Sequence, residues 1–346
     1  MEYFEKRNIY ISQELKSQIN NDARLFEVFK KNSREINLNR FISLFLVGYY
    51  DNYIAETNLK LNSILDVIKP YKLTNNEKID IADSIIKNSI MDQDVKSEGN
   101  KSIAISLKPT KDTIRIIQTI EDDLYRTDTF SQYIRRMLIC YFQKPMWKRE
   151  RIIFIDNYNL IQNACDNNRS LVFSSIWNRK SFHEVMPYQI AKGSDGMFNY
   201  LVCVERNQET GISIVKSFRL SRISNIGFGH RINNITPEVK ILCKITVESS
   251  PQYAINSNDE ICVRLSDAGE ILYNRIFHSR PNYSRIEDKD DGHYYYFNCS
   301  QDQVFHYFRR FDNDTALIIS PKKLREKMVS FHYNVYENYR REENSK

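Results

Sequence analysis

The residues best suited to binding chemistry lie in one short run, Phe218-Arg219-Leu220-Ser221-Arg222-Ile223. Phe218, Leu220 and Ile223 supply apolar packing, while Arg219 is free to face outward. Two guanidinium groups at a fixed separation suit phosphates and the flat edges or faces of bases, since each is planar, charged and carries a fork of donors. Taken alone, the same pair reads as ordinary charge on the solvent face of a strand, which contributes little. Trp177, His183, Tyr188 and Tyr200 offer rings that stack or hydrogen-bond, and Arg179 and Lys180 extend the basic surface. From residue 150 to 235 there are ten Lys and Arg against seven Asp and Glu. That region is only mildly basic, so an acidic partner needs a focused groove rather than bulk charge.

The chain that must position these groups has 346 residues, 41% of them hydrophobic. Its length suggests about two or three domains, each with a packed core. Nine Gly and eight Pro argue against long flexible linkers. The net charge of +6 permits an acidic partner without requiring one. Twenty-two Tyr and 19 Phe fill strands and helix seams, and beside Lys and Arg they also stack on bases.

Cys140, Cys165, Cys203, Cys243, Cys262 and Cys299 show no metal-ligand or redox spacing, so buried free thiols are expected, with no metal and no cofactor. The opening residues lack a signal-peptide core, and no apolar run is long enough to span a membrane, so a cytoplasmic setting is expected. No Gly-rich phosphate loop, His-Glu-x-x-His or nucleophile-elbow motif is present. Arg325 and His332 have the Arg-x6-His spacing of some helical ribonucleases, but fifty Lys and Arg with six His make that a chance spacing. The expectation is a protein that is not an enzyme.

Along the chain, Arg7 to Ser12 alternate as a short strand, and Ser12 is placed to cap a helix over 13–31. A second helix starts near Asn37. Residues 55–95 read as helical, with Pro70 ending one helix and Thr74 opening another that carries Ile79, Ala82, Ile85 and Ile86 on one face. Lys96 to Lys101 form a polar linker. The first pattern then recurs. Ser102 to Lys108 read as a strand, Thr110 caps a helix, a turn spans Arg126 to Asp128, and Thr129 with Gln132 opens the next helix at capping-box spacing. Residues 169 to 300 read mostly as strands, including Val239 to Val247, with turns at Gly193–Gly196 and Asp267–Gly269. The tail is mixed: helices near 301–312 and 321–340 flank the strand Ala316–Ile319.

The repeated strand-helix-helix unit resembles the ribbon-helix-helix fold. A lone short strand cannot satisfy its backbone, so two copies are needed, and here they are able to pair within one chain. In DNA-reading members the paired ribbon enters the major groove. Its outward residues here would be Arg7 or Asn8, Tyr10, Ser102, Ala104 and Ser106. The second strand offers Ser and Ala rather than Arg, Asn or Gln, so a dimerisation or scaffold unit fits as well.

Residues about 150–232 resemble a WYL domain. The matching pieces occur in order: a helix ending at Ala164, Leu171-Val-Phe173, Val185-Met-Pro-Tyr188, Phe198 to Val202, and Phe218 to Ile223. The family's Trp-Tyr-Leu tripeptide is Asn199-Tyr200-Leu201 here, and Ser174-Ser175 stand where an aromatic is usual. Residues about 236–340 resemble the C-terminal extension that often follows, through Arg280-Pro281, Tyr295-Tyr-Phe297, Tyr307-Phe308, Phe311 and Ile319-Ser-Pro321. The resemblance implies an SH3-like or Sm-like β-barrel that binds nucleic acid or nucleotide-like ligands, with Arg219, Arg222 and Tyr200 at the ligand face.

The expected architecture is therefore α+β and multidomain: a ribbon-helix-helix-like unit over 1–53, a helical connector over 54–99, a second such unit over 100–148, a WYL domain over 149–233, and an α+β extension over 234–346 that is suited to dimerisation. This combination resembles the accessory proteins of type VI-D CRISPR systems. The resemblance implies a non-enzymatic, homodimeric protein that binds single-stranded RNA and modulates a CRISPR effector nuclease. RNA contacts would come from Arg219, Arg222, Tyr200, His183, Trp177, Arg179 and Lys180. The competing expectation is a DNA-binding transcription regulator that grips duplex DNA through Arg7, Asn8 and Tyr10 and senses a ligand through its WYL domain.

Overall fold

A computed structural model describes residues 5–31, 33–91, 102–124, 128–176, 178–206, 211–232, 234–257, 259–312 and 314–344. The polar linker over 96–101 and most of the turn at 126–128 lie outside these residues, as does Trp177. The chain divides into two compact units, Met1–Tyr158 and Asn159–Lys346.

The first unit opens with β1 (Arg7–Ile11), α1 (Gln13–Leu25) and α2 (Leu38–Ile68), followed by α3 (Asn75–Met91). The pattern then repeats as β2 (Ile103–Leu107), α4 (Lys111–Asp122) and α5 (Phe130–Phe142), before α6 (Met146–Ile153). β1 and β2 pair antiparallel within the chain, with Ile9 opposite Ile105. Ile9, Ile11, Ile105 and Leu107 are buried, while Asn8, Tyr10, Ala104 and Ser106 face outward. Ser12, Thr110 and Thr129 cap the helices that follow them. Phe41, Phe45, Tyr49 and Tyr141 fill the core.

Three expectations change here. α1 stops at Leu25, short of residue 31, because Glu27 takes φ 58° and Phe29 bridges to Ile36. α2 runs through the expected boundary at 53/54, since no Gly or Pro interrupts it there. In α3 the buried face is Ala82, Ile86 and Ile90, whereas Ile79 and Ile85 are exposed. α2 also approaches α6 closely: a Cβ on Gly48 would lie 1.9 Å from the Ile152 carbonyl oxygen. Gly48→Ala is expected to destabilise the unit by about 1–3 kcal/mol through overpacking. Chemical denaturation reads this as a lower midpoint at unchanged slope, and an unmoved midpoint would count against the close approach.

After α7 (Ile155–Asp166), the second unit holds β3 (Arg169–Ser175), β4 (Asn178–Lys192), β5 (Asn199–Arg206), β6 (Ser213–Arg219), a 3-10 turn at Leu220–Arg222, and β7 (Ile223–Ile232). These strands form one antiparallel sheet in the order β6-β5-β4-β3-β7. The closed barrel expected from the sequence is not formed. β6 and β7 are the two ends of the ladder and do not pair, although three residues, roughly 10 Å of chain, join them. The sheet must therefore curl until its ends approach. A register shift at Pro187 helps bend β4, because proline donates no ladder hydrogen bond.

Residues 239–247, expected as a strand, lie in a helix, α8 (Pro237–Ser249). Val239, Leu242, Cys243 and Val247 recur at helical spacing and pack on Val202, Val204 and Val215. The extension then contains β8 (Ile261–Leu265), α9 (Asp267–Arg275), β9 (Tyr283–Lys289), β10 (Gly292–Phe297), α10 (Gln301–Phe308), β11 (Ala316–Ser320) and α11 (Lys322–Glu343). Its sheet runs β11-β8-β10-β9. The expected turn at Asp267–Gly269 is instead the first turn of α9, capped by Ser266. All six cysteines are free thiols; five are buried, and burial pushes Cys243 up to about 12.

Candidate nucleic-acid interface

The site begins where β5 and β6 pair, with Tyr200 directly opposite Arg219. The Arg219 guanidinium lies 3.3 Å from the centroid of the Phe198 ring, a stacked cation–π contact. Phe198 is buried, so the ring is fixed and holds the guanidinium in turn. Leu220, Ser221 and Ile223 are buried, and Arg222 is exposed.

The run 218–223 is not one strand, as the sequence suggested. β6 ends at Arg219 and Arg222 closes the 3-10 turn. In a strand, residues three apart point to opposite faces. A turn with three residues per revolution lifts that constraint. The Arg222 carbonyl accepts the Ile176 amide at 3.0 Å, which ties the turn back to the end of β3.

His183 stands opposite Phe173 on β3, with ring centroids 5.6 Å apart, and packs on Phe218 at 4.9 Å. Its Nδ1 lies 2.8 Å from Glu205 Oε1. These contacts occupy the ring and its edge, so His183 supports the sheet beneath Phe218. Tyr188 packs beside α8, where burial raises its hydroxyl above the usual tyrosine range. Arg179 and Lys180 belong to the first residues of β4, and nothing is described of their side chains. Ser174 is buried and bonds the Ser224 hydroxyl and the Asn225 amide, stapling β3 to β7.

On the ribbon of the first unit, Arg7 turns away from the outer face and bonds Glu121 of α4 at 2.8 Å. Ser131 accepts the Tyr10 amide, and Arg135 donates to the Tyr10 carbonyl. The outer face is thus Asn8 and Tyr10 with Ala104 and Ser106, without Arg7. Arg325 and His332 are exposed on α11, where the His332 ring lies 5.3 Å from that of Phe331. No cluster of potential metal ligands occurs among the described residues, and no described helix is long and apolar enough to cross a membrane.

Phe198 is the contributor that sequence reasoning passed over. It read as the start of a strand, while its role depends on the β5–β6 register.

Comparison with known proteins places this geometry in context. No protein-family model matches the chain, and no curated protein does. Among solved structures, "Crystal structure of a CRISPR Cas-related protein" is similar over 99% of this chain and 96% of that one, with TM-score 0.66 and 21% identity. The proteasome accessory factor B/C of Arthrobacter aurescens matches 65% of this chain and 35% of its own at TM-score 0.23 and 11% identity. The first of these shows that the chain shares the fold of a CRISPR Cas-related protein along nearly its whole length.

Proposed function

We propose that this protein is a non-enzymatic accessory that binds single-stranded RNA and modulates a CRISPR RNA-targeting nuclease of type VI-D. The observation that carries the RNA reading is Arg219, stacked on Phe198, opposite Tyr200 and three residues from the exposed Arg222. A fixed guanidinium beside an aromatic serves both phosphate and base, and unpaired bases expose the faces that such a site takes. The whole-chain likeness to a CRISPR Cas-related protein supports the cellular setting. Replacing the usual Trp by Asn199 favours an open groove for a strand over a closed pocket for a small ligand. Fluorescence anisotropy with labelled single-stranded RNA over a salt series tests the reading. Affinity is expected to fall with salt as phosphate contacts release counterions, and a salt-independent constant would oppose it.

The second reading, a DNA-binding regulator with a ligand-sensing WYL domain, draws support from the intrachain β1–β2 ribbon and its exposed Asn8 and Tyr10. A duplex footprint that depends on Asn8 or Tyr10 would favour it.

We propose further that the chain forms a homodimer, through the extension or the helical half, and the extension offers the clearer seam. α11 exposes Val329, Tyr333, Tyr336 and Tyr339 at three- and four-residue spacing, the seam pattern of a helix that packs on another. Tyr333→Asp with Tyr336→Asp is expected to convert a dimer to a monomer in light scattering. A parent protein with monomer mass would remove the dimer from the account.

A further inference from the structure

The second unit contains a polar cleft of about 580 Å³, separate from the arginine pair. Ser194 and Asp195 of the β4–β5 turn border it, with Phe277, Arg280, Asn282 and Asn298 of the extension. A volume of this order suits a small polar ligand.

The main chain of the 276–282 segment is held tightly. Tyr307 Oη donates to the Ile276 carbonyl at 2.8 Å, and Tyr273 Oη donates to that of Pro281 at 2.6 Å. Arg310 donates to the His278 carbonyl at 3.1 Å, and Gln303 donates to that of Ser279 at 3.3 Å. Ser279 takes φ 59°.

The side chains of this rigid segment are treated in the opposite way. Phe277 is 74% exposed, although the neighbouring core is rich in aromatic rings. Leaving that ring in water forfeits burial that a looser loop would recover. The Arg280 guanidinium is fixed 5.0 Å from the Phe277 centroid and 5.4 Å from that of Tyr273. Asn282 and Asn298 are exposed, and both border the cleft. An open ring, a fixed cation beside it and two amides able to donate and accept are what recognition of an unpaired base requires.

The cleft also adjoins the candidate interface. The Gly193 amide donates to the Phe198 carbonyl at 2.8 Å, and a Cβ on Gly193 would lie 2.9 Å from the Tyr200 ring. The turn that packs on Tyr200 and Phe198 therefore also borders the cleft.

We propose that this cleft is a second nucleic-acid subsite, taking one unpaired base stacked on Phe277 with a phosphate on Arg280. The base edge meets Asn282 and Asn298. The inference rests on the RNA reading above and extends the strand's path past the β4–β5 turn.

The test measures full-length protein against a labelled oligouridylate by anisotropy, with Phe277→Ala, Phe277→Trp and the double variant Arg219→Ala with Arg222→Ala. Phe277→Ala is expected to weaken binding about tenfold, as loss of one stacked base does. Phe277→Trp should bind like the parent. Thermal melts of both should match the parent, because the ring is exposed. A strand carrying 4-thiouridine should crosslink to the peptide containing residues 276–282. Unchanged affinity in Phe277→Ala overturns the subsite, whatever the arginine variant does. Loss in Phe277→Ala with none in the arginine variant keeps the subsite and overturns the role of the pair. A parent protein that binds no single-stranded RNA overturns both.

Discussion

Replacing Arg219 and Arg222 together with alanine is expected to weaken single-stranded RNA binding on the order of a hundredfold, about 3 kcal/mol for two charge-assisted hydrogen bonds. Arg219 makes the larger contribution, because Phe198 already holds its guanidinium in place and little freedom is given up on binding. Arg222, exposed on the 3-10 turn, acts mainly through charge. The double variant should also flatten the salt dependence, by about 0.7 in the logarithmic slope for each phosphate no longer neutralised. Single substitutions by lysine separate the two roles. Arg222→Lys keeps the charge and should retain most affinity. Arg219→Lys keeps the charge but removes the planar stack, and should not. Phe198 is left without its cation–π partner in the alanine variant, so a thermal melt should accompany the titration. An unchanged dissociation constant for the double variant would remove this surface from the account.

Arg149→Ala is expected to destabilise the first unit by about 3–5 kcal/mol near neutral pH, by stranding a buried carboxylate. Asp22 of α1 is fully buried; both its oxygens lie 2.8 Å from Arg149 of α6, and it accepts the Tyr141 hydroxyl of α5 at 3.0 Å. This triad joins three helices. Burial outweighs the attraction of Arg149 and raises the Asp22 carboxyl from 3.8 to about 6. The folded state therefore holds the proton more tightly than the unfolded state. As pH rises from about 4 to about 6, stability should fall by about 3 kcal/mol from this group, and then level off. Without Arg149 the carboxyl moves higher still and stays neutral over a wider range. The cost of Arg149→Ala should accordingly shrink in mild acid, where neutral Asp22 needs no counter-charge. Denaturation of parent and variant across this range reads the effect, and an equal cost at every pH would show that Arg149 acts through packing alone.

The local elements were legible where capping chemistry and period agree. Ser12, Thr110 and Thr129 announce their helices through side chains that need no tertiary partner. The misreadings share another cause. The β-branched run in 239–247 has strand composition, but Pro237 at the helix start and apolar residues at helical spacing place it on the sheet as α8. β7 alternates weakly and pairs with the distant β3, while β9 is an edge strand, mostly exposed, whose only partner is its hairpin neighbour β10. Near residues 53/54 burial along α2 fades without any break in the backbone, so composition changes there while the helix continues.

The same division holds for the site. Arg219, Arg222 and Tyr200 could be named from an ordered resemblance, yet the 3-10 turn that spaces the arginines and the Phe198 ring beneath one of them depend on register. Arg7 illustrates the reverse case. Its type suits a groove-reading ribbon, but its position shares the inward face with Ile9 and Ile11, where Glu121 takes it. Phe277 carries no sequence signal, since its exposure follows from carbonyls fixed by Tyr307, Tyr273, Arg310 and Gln303.

The central claim, that the surface built on Arg219 and Phe198 takes single-stranded RNA, is tested most directly by one comparison. Labelled single-stranded RNA, single-stranded DNA and duplex DNA are titrated with the full-length protein at one fixed salt concentration. Single-stranded RNA is expected to bind tightest, single-stranded DNA more weakly and duplex DNA weakest, with the RNA affinity reduced on the order of a hundredfold in the double arginine variant. Tightest binding to duplex DNA, unaffected by Arg219→Ala with Arg222→Ala, would contradict that claim.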